Sequence, residues 1–167
     1  VCGVRIPAKP GPLSVLTSMA RTGWAMWRRP ADALAKLPVT HEPLDRWARR
    51  LLVSAVSPAF YVDARLIPSI LLTIVDLSLQ RGLTPYSAYG FAGYAMLQAT
   101  AFNRVERARE IAALAKRLVE TFGADELSAR VDTFTYGFIT WRHDSMRAAY
   151  DPQEMLYETA LEAGDAD

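Results

Sequence analysis

The sequence predicts an all-α protein in which antiparallel helix pairs stack as a helical solenoid, and three observations carry that prediction. Apolar residues recur three and four apart along most of the chain, and no run of strict alternation marks a strand. The stretch Gly82 to Asn103, GLTPYSAYGFAGYAMLQATAFN, holds 22 residues without an ionisable acid or base, in a protein of which 22% of residues are charged. A helix apolar nearly all round is one packed on several sides. The pattern also recurs: laying Tyr94 on Tyr136 gives a shift of 42 residues, near the period of about 40 at which two-helix repeats stack.

The elements follow in order. VRIPAKPGP has three prolines in six residues, and each removes a backbone donor and constrains its predecessor, so residues 1–12 form a connector. From Leu13 the pattern turns helical, with Leu13, Leu16, Met19 or Ala20, Gly23 or Trp24, and Trp27 on one face. Arg28, Arg29 and Pro30 stop it, and ADALAKL is a short turn of helix before Pro38. Thr40 is a plausible N-cap with Pro43 in the first turn. Leu44, Trp47, Leu51 and Ala55 make a stripe there, with Ala48, Leu52 and Val56 beside it, and Pro58 is expected to end that helix. Asp63 is the next candidate cap, for a helix burying Leu66, Ile70, Ile74 and Leu77. Its Pro68 requires either a start near Ile67 or a kink.

Arg81-Gly82 reads as a helix stop and Thr84-Pro85 as a restart. Along the uncharged helix Ala88, Ala92, Ala95 and Ala99 line one side with Gly90 and Gly93 near them, while Phe91, Tyr94, Gln98 and Phe102 fall on another. Asn103-x-x-Glu106 is an Asn variant of the capping box, opening a helix that buries Val105, Ala108, Ala112, Ala115, Val119 and Phe122 and closes at Gly123. Asp125 can cap a further helix with Leu127, Val131, Phe134, Phe138 and Trp141 inward. Asp151-Pro152 opens a last one, ended by Gly164.

At 167 residues with 51% apolar content, the chain fits one globular domain or a slice of something larger. Its opening on Val1 is expected of a cut inside a longer protein, and no signal-peptide pattern is read. The net charge of +1 hides an asymmetry, with nine Lys/Arg against three Asp/Glu in residues 1–50. These basic residues are dispersed among Trp and Leu, as solvated helix faces are, and no nucleic-acid partner is expected. The lone Cys2 excludes an internal disulfide and a CxxC metal site, and a reducing, cytoplasmic setting follows.

Chemistry-bearing constellations are sparse. The uncharged run is long enough for a bilayer, but Gly, Ala, Thr, Tyr, Ser, Gln and Pro make up most of it, so no membrane span is expected. His143-Asp144-Ser145 has the residue types of a hydrolytic site, yet adjacent residues point apart; a surface turn is the reading, with a small enzyme using His143 the least favoured alternative. Two remote histidines and one cysteine make a poor zinc set, and Gly90-Phe91-Ala92-Gly93 lies mid-helix rather than in a phosphate loop. Glu106 and Glu110 stand one turn apart beside Arg107 and Arg109, as a solvated face. Trp24, Trp27, Arg28 and Arg29, and Trp141, Arg142 and His143, could stack on bases or bind a peptide. Tryptophan at helical spacing is nonetheless read as core. No catalytic, cofactor-binding or metal residue is assigned, and no cofactor is expected.

Several segments carry a family resemblance: Thr40 to Pro43, Ser57 to Tyr61, Leu77 to Ser87, Gly93-Tyr94, Gly123 to Arg130 and Leu161 to Asp165, with Gly3 to Pro7 upstream. Together they resemble the helical linker region of large multidomain signalling proteins, which carry a serine/threonine-kinase-like domain, an AAA/STAND-type ATPase, and GAF and histidine-kinase or cyclase modules. Ile139 to His143 departs from the order of that family's basic-aromatic run, and no kinase, Walker or histidine-kinase motif is present. The resemblance implies a TPR-like right-handed superhelical stack over residues 1–167, with first helices in 13–81 and helix pairs in 84–122 and 125–164. It implies a non-catalytic scaffold coupling ATPase to sensor and output modules, its partners being neighbouring domains or a protein on the concave face. A free-standing helical domain that binds peptide or protein is the alternative.

Overall fold

The computed structural model describes residues 12–140. Among these the chain is all-helical: α1 Pro12–Trp27, α2 Ala31–Ala35, α3 Pro43–Ser54, α4 Val56–Asp63, α5 Leu66–Arg81, α6 Ser87–Ala101, α7 Val105–Phe122 and α8 Ser128–Thr135. Most of the expected connector, the expected last helix, and Trp141 and His143 lie outside the described residues.

The uncharged helix α6 is the centre. Twelve of its fifteen residues are buried, and α5, α7 and α8 all pack on it. A charge on any side would lose water without a partner, which is why the sequence carries none there. Its small residues divide between two neighbours. Ala88, Ala92, Ala95 and Ala99 share a core cluster with Ala108, Ile111, Ala112 and Ala115 of α7. The glycines face α5: a Cβ on Gly90 would stand 2.5 Å from Ile74 Cγ2, and one on Gly93 2.4 Å from Leu71 Cδ2. Both distances are far inside van der Waals contact, so glycine sets how close the two helices come.

Polar bonds fix the register of the same pair. The Thr84 N–H donates to Ser87 Oγ at 3.0 Å, Ser87 Oγ lies 2.8 Å from Ser78 Oγ, and Ser78 Oγ donates to Ile74 O at 2.8 Å. A hydroxyl has one proton, and that of Ser78 goes to Ile74, so the serine–serine bond runs from Ser87. Ser87 thus makes the backward half of a capping box, while the expected cap, the Thr84 hydroxyl, is buried without a partner.

Prolines in α4 and α5 sit where they cost little. Contrary to the expectation, Pro58 does not end a helix; it occupies the third position of α4, where the first-turn N–H groups have no helical acceptor anyway. Pro68 likewise falls third in α5, so the helix starts before it. Asp63 is not the cap of α5, which starts after Arg65 without a side-chain cap; it ends α4, and its Oδ1 accepts the Arg65 N–H at 3.1 Å in the turn between them.

Of the two stripes expected along α3, the flanking one of Ala48, Leu52 and Val56 is the buried one. Asp45, Ala48, Arg49, Leu52 and Val53 turn inward, and the stripe of Leu44, Trp47 and Leu51 faces out. The reason is a polar set whose partners come from α5, although Nε and Nη1 of Arg49 stay buried without one. Arg49, fully buried, donates through Nη2 to Leu77 O at 3.0 Å, and Asp45 pairs with Arg81 at 2.7 Å. Burial lowers the Arg49 pKa to about 10; the Asp45 carboxylate opposes that and Arg81 adds to it. The guanidinium stays charged at neutral pH, facing α5.

Helix α1 is rotated by a similar device. Asp76 of α5 accepts from Thr22 Oγ1 at 2.7 Å and from the Arg21 guanidinium. Thr22 and Met26 are therefore buried, while Trp24 and Trp27, expected inward, are 60% and 77% exposed. The α1–α2 arm then reaches α7. Arg107 Nη2 donates to Met26 O at 3.0 Å and Arg29 O at 2.8 Å, satisfying carbonyls at the end of α1. Arg117 pairs with Asp32 of α2 at 3.1 Å.

Three turns complete the frame. Gly82 has φ 98°, and a Cβ there would stand 2.4 Å from Pro38 O. Its neighbours pair across the gap, Leu83 N to Pro38 O at 2.7 Å and Thr40 N to Leu83 O at 2.9 Å. Gly123 is left-handed, with Ala124 N reaching Val119 O at 3.0 Å and Gly123 N reaching Glu120 O at 3.2 Å, the Schellman pattern. Asn103 is not an N-cap: it takes φ 53°, Arg104 N bonds Gln98 O at 2.9 Å, and α7 starts without a side-chain cap. After α8 the backbone widens into a π turn over Tyr136–Thr140. That shift of phase brings Ile139 into the core in place of Phe138.

A prediction isolates the glycine contact. Overpacking costs about 1–3 kcal/mol, partly offset by the roughly 1 kcal/mol that alanine gains over glycine in a helix. Gly90→Ala is expected to lose about 1 kcal/mol in urea denaturation, and Gly93→Ala less, because Leu71 can change rotamer whereas the branch of Ile74 is tied to its backbone. With Ile74→Ala in the background, the loss on Gly90→Ala should shrink but not vanish, because the Cβ at position 74 itself would stand 2.9 Å away.

Candidate functional site

Two surfaces result from these rotations. The first is a cavity of about 380 Å³ between the second half of α1 and the end of α6, lined by Met19, Ala20, Gly23, Trp24, Trp27, Gln98, Phe102 and Arg104. Its walls are apolar and aromatic because Thr22 and Met26 take the inner positions of α1, leaving the tryptophans outside. Gly23 keeps the α1 side low; a Cβ there would lie 3.7 Å from the Tyr94 hydroxyl, an ordinary contact. The left-handed Asn103 turns the chain so that the Arg104 guanidinium lies 5.8 Å from the centre of the Phe102 ring. Arg28 covers Trp24 at 4.6 Å.

One polar group of that wall is incompletely satisfied. Gln98, 5% exposed, donates through Nε2 to the Tyr94 hydroxyl, and its Oε1 has no donor. Burial raises the Tyr94 pKa, against smaller lowering effects of the Gln98 bond and of Arg107 and Arg104. The phenol is therefore neutral and the arginines are the local charges. Arg104 makes no ion pair among the described residues, whereas Arg107 is engaged with Glu110 at 2.6 Å.

The second surface is the outer side of α3 and α4. Leu44, Trp47, Leu51, Phe60, Tyr61 and Val62 are each between 57% and 86% exposed. Phe60 and Tyr61 meet edge to face, 5.6 Å between centres, and Arg50 lies 5.3 Å from the Trp47 ring. The acids on these helices are occupied, Asp45 by Arg81 and Asp63 by Arg65.

Of the residues weighed from sequence, Trp24, Trp27 and Arg28 come together at the cavity, with Arg29 just beyond. Glu110 is held by Arg107 rather than facing a second carboxylate, and His41 is exposed before α3. Among the described residues no group of three His, Cys, Asp or Glu could hold a metal, and no helix is long and apolar enough to cross a membrane. Gln98 and Arg104 were not singled out from sequence. The available signal was that Gln98 is the one long polar side chain of the uncharged stretch. No family model matches the chain, and no curated protein or solved structure does.

The two faces of α3 give a direct contrast. Leu51→Ser is expected to change stability by less than about 0.5 kcal/mol, and Leu52→Ser to cost about 2 kcal/mol or more. Thermal denaturation of both variants would show whether the assigned face is the buried one.

Proposed function

We propose that this chain is a non-catalytic helical interaction domain that binds protein through the outer side of α3 and α4. The observation that carries the reading is the exposure of Leu44, Trp47 and Leu51 along one line of α3, with Phe60, Tyr61 and Val62 also exposed on the following helix α4. Six of the exposed large apolar residues fall on these two short helices, and an apolar patch rimmed by polar groups marks an interaction site. The spacing 44, 47, 51 is the one along which a partner helix lays its own apolar stripe. Exposed Arg46 and Arg50 flank that line, so the complementary partner is an acidic amphipathic helix.

In context, the domain serves as a scaffold segment of a cytoplasmic multidomain signalling protein, in a TPR-like stack that couples an ATPase to sensor and output modules. Support comes from the segments of family resemblance and from the packing of α8 against both α6 and α7, as a third helix joins a preceding pair. The α1–α2 arm folding back onto α7 is a feature such a stack does not require.

The test is selection of helix-length peptides from a display library on the wild-type domain and on a Trp47→Ala/Leu51→Ser variant. Recovered sequences should be acidic, with apolar residues spaced three and four apart, and should bind the variant at least about tenfold more weakly. Recovery of no such class, or equal binding to the variant, would contradict the reading.

A further inference from the structure

The cavity between α1 and α6 involves no residue of α3 or α4 and stands on separate evidence. We infer that it binds a small planar aromatic carboxylate carrying a ring N–H or O–H, with the ring between Trp24, Trp27 and Phe102 and the carboxylate on Arg104. Four observations lead there. The volume of about 380 Å³ is within the range of small-molecule sites, roughly 300–1,000 Å³. The walls supply aromatic faces on two elements, suited to a flat ring. Arg104 brings a guanidinium to the same wall with no carboxylate paired to it among the described residues, and a guanidinium fork matches a carboxylate in two parallel bonds. Gln98 Oε1, screened from solvent in the bare cavity and lacking a donor, is the acceptor that a ring N–H or O–H would satisfy as the amide adjusts.

Two other ligand classes fit less well. Aromatic walls can cage an organic cation, but here Arg28 and Arg104 already lie against Trp24 and Phe102. The carbonyls that could have favoured a cation at the end of α1 are taken by Arg107. A nucleotide has a flat base, but its phosphates are bound where several charged donors converge, and the cavity lining supplies one cationic side chain, Arg104.

The probe is indole-3-acetate, titrated calorimetrically into the full chain, with indole and adenosine monophosphate as comparators. Indole-3-acetate should bind with a submillimolar Kd, more tightly than either comparator. Arg104→Gln, which keeps the backbone bond to Gln98, should weaken it by about tenfold, the equivalent of about 1.4 kcal/mol. Gly23→Leu should abolish binding by filling the cavity. Trp27→Ala, at an exposed position, should weaken it without unfolding, giving a second reading should Gly23→Leu misfold. No measurable binding, equal binding of indole, tighter binding of the nucleotide, or an affinity unchanged in both Arg104→Gln and Trp27→Ala would each overturn the assignment.

Discussion

The rest of the structure depends on how closely α5 and α6 approach. Gly90 under Ile74 and Gly93 under Leu71 let the two backbones come nearer than any side chain would permit. That approach buries α6 on its α5 side, and α7 and α8 close the others. It also brings Ser78 to Ser87, so the buried start of α6 is hydrogen-bonded rather than orphaned. Helix α5 is then the platform for the remainder: Asp76 receives α1 and Leu77 receives Arg49 of α3.

The features legible in sequence were those decided locally or by an excess of one property. An uncharged run of such length had to be central, and Gly123 closes its helix by a geometry set within a few residues. Gly82 was legible as a stop, but the reason only glycine fits is Pro38 O, which belongs to another part of the chain. The face of α1 was misjudged, and α3 was left with two stripes, for one physical cause. Each helix offers two adjacent apolar stripes, so periodicity alone does not choose between them. The choice is made by polar residues, Thr22 in one and Asp45 and Arg49 in the other, that go inside to meet distant partners, although Nε and Nη1 of Arg49 are left without a hydrogen bond. The π turn after Thr135, which exchanges Phe138 for Ile139, likewise depends on packing rather than on local preference.

That same cause produces the candidate sites. Turning Thr22 inward puts Trp24 and Trp27 at the surface beside Gln98, Phe102 and Arg104. Turning Arg49 inward puts Leu44, Trp47 and Leu51 on the outer face with Phe60 to Val62. Aromatic and aliphatic residues that a periodicity argument assigns to the core are thus left at the surface, and the cost of burying Arg49 is the counterpart of the exposed α3 stripe.

Native-state hydrogen exchange tests the central role of α6 most directly. If α6 is enclosed by α5, α7 and α8, the amides of Ala92 to Ala99 exchange only through global unfolding, with opening free energies equal to that from denaturant titration, while those of α3 and α4 exchange faster through local opening. Exchange at Ala92 to Ala99 as fast as in α3 or α4 would contradict it.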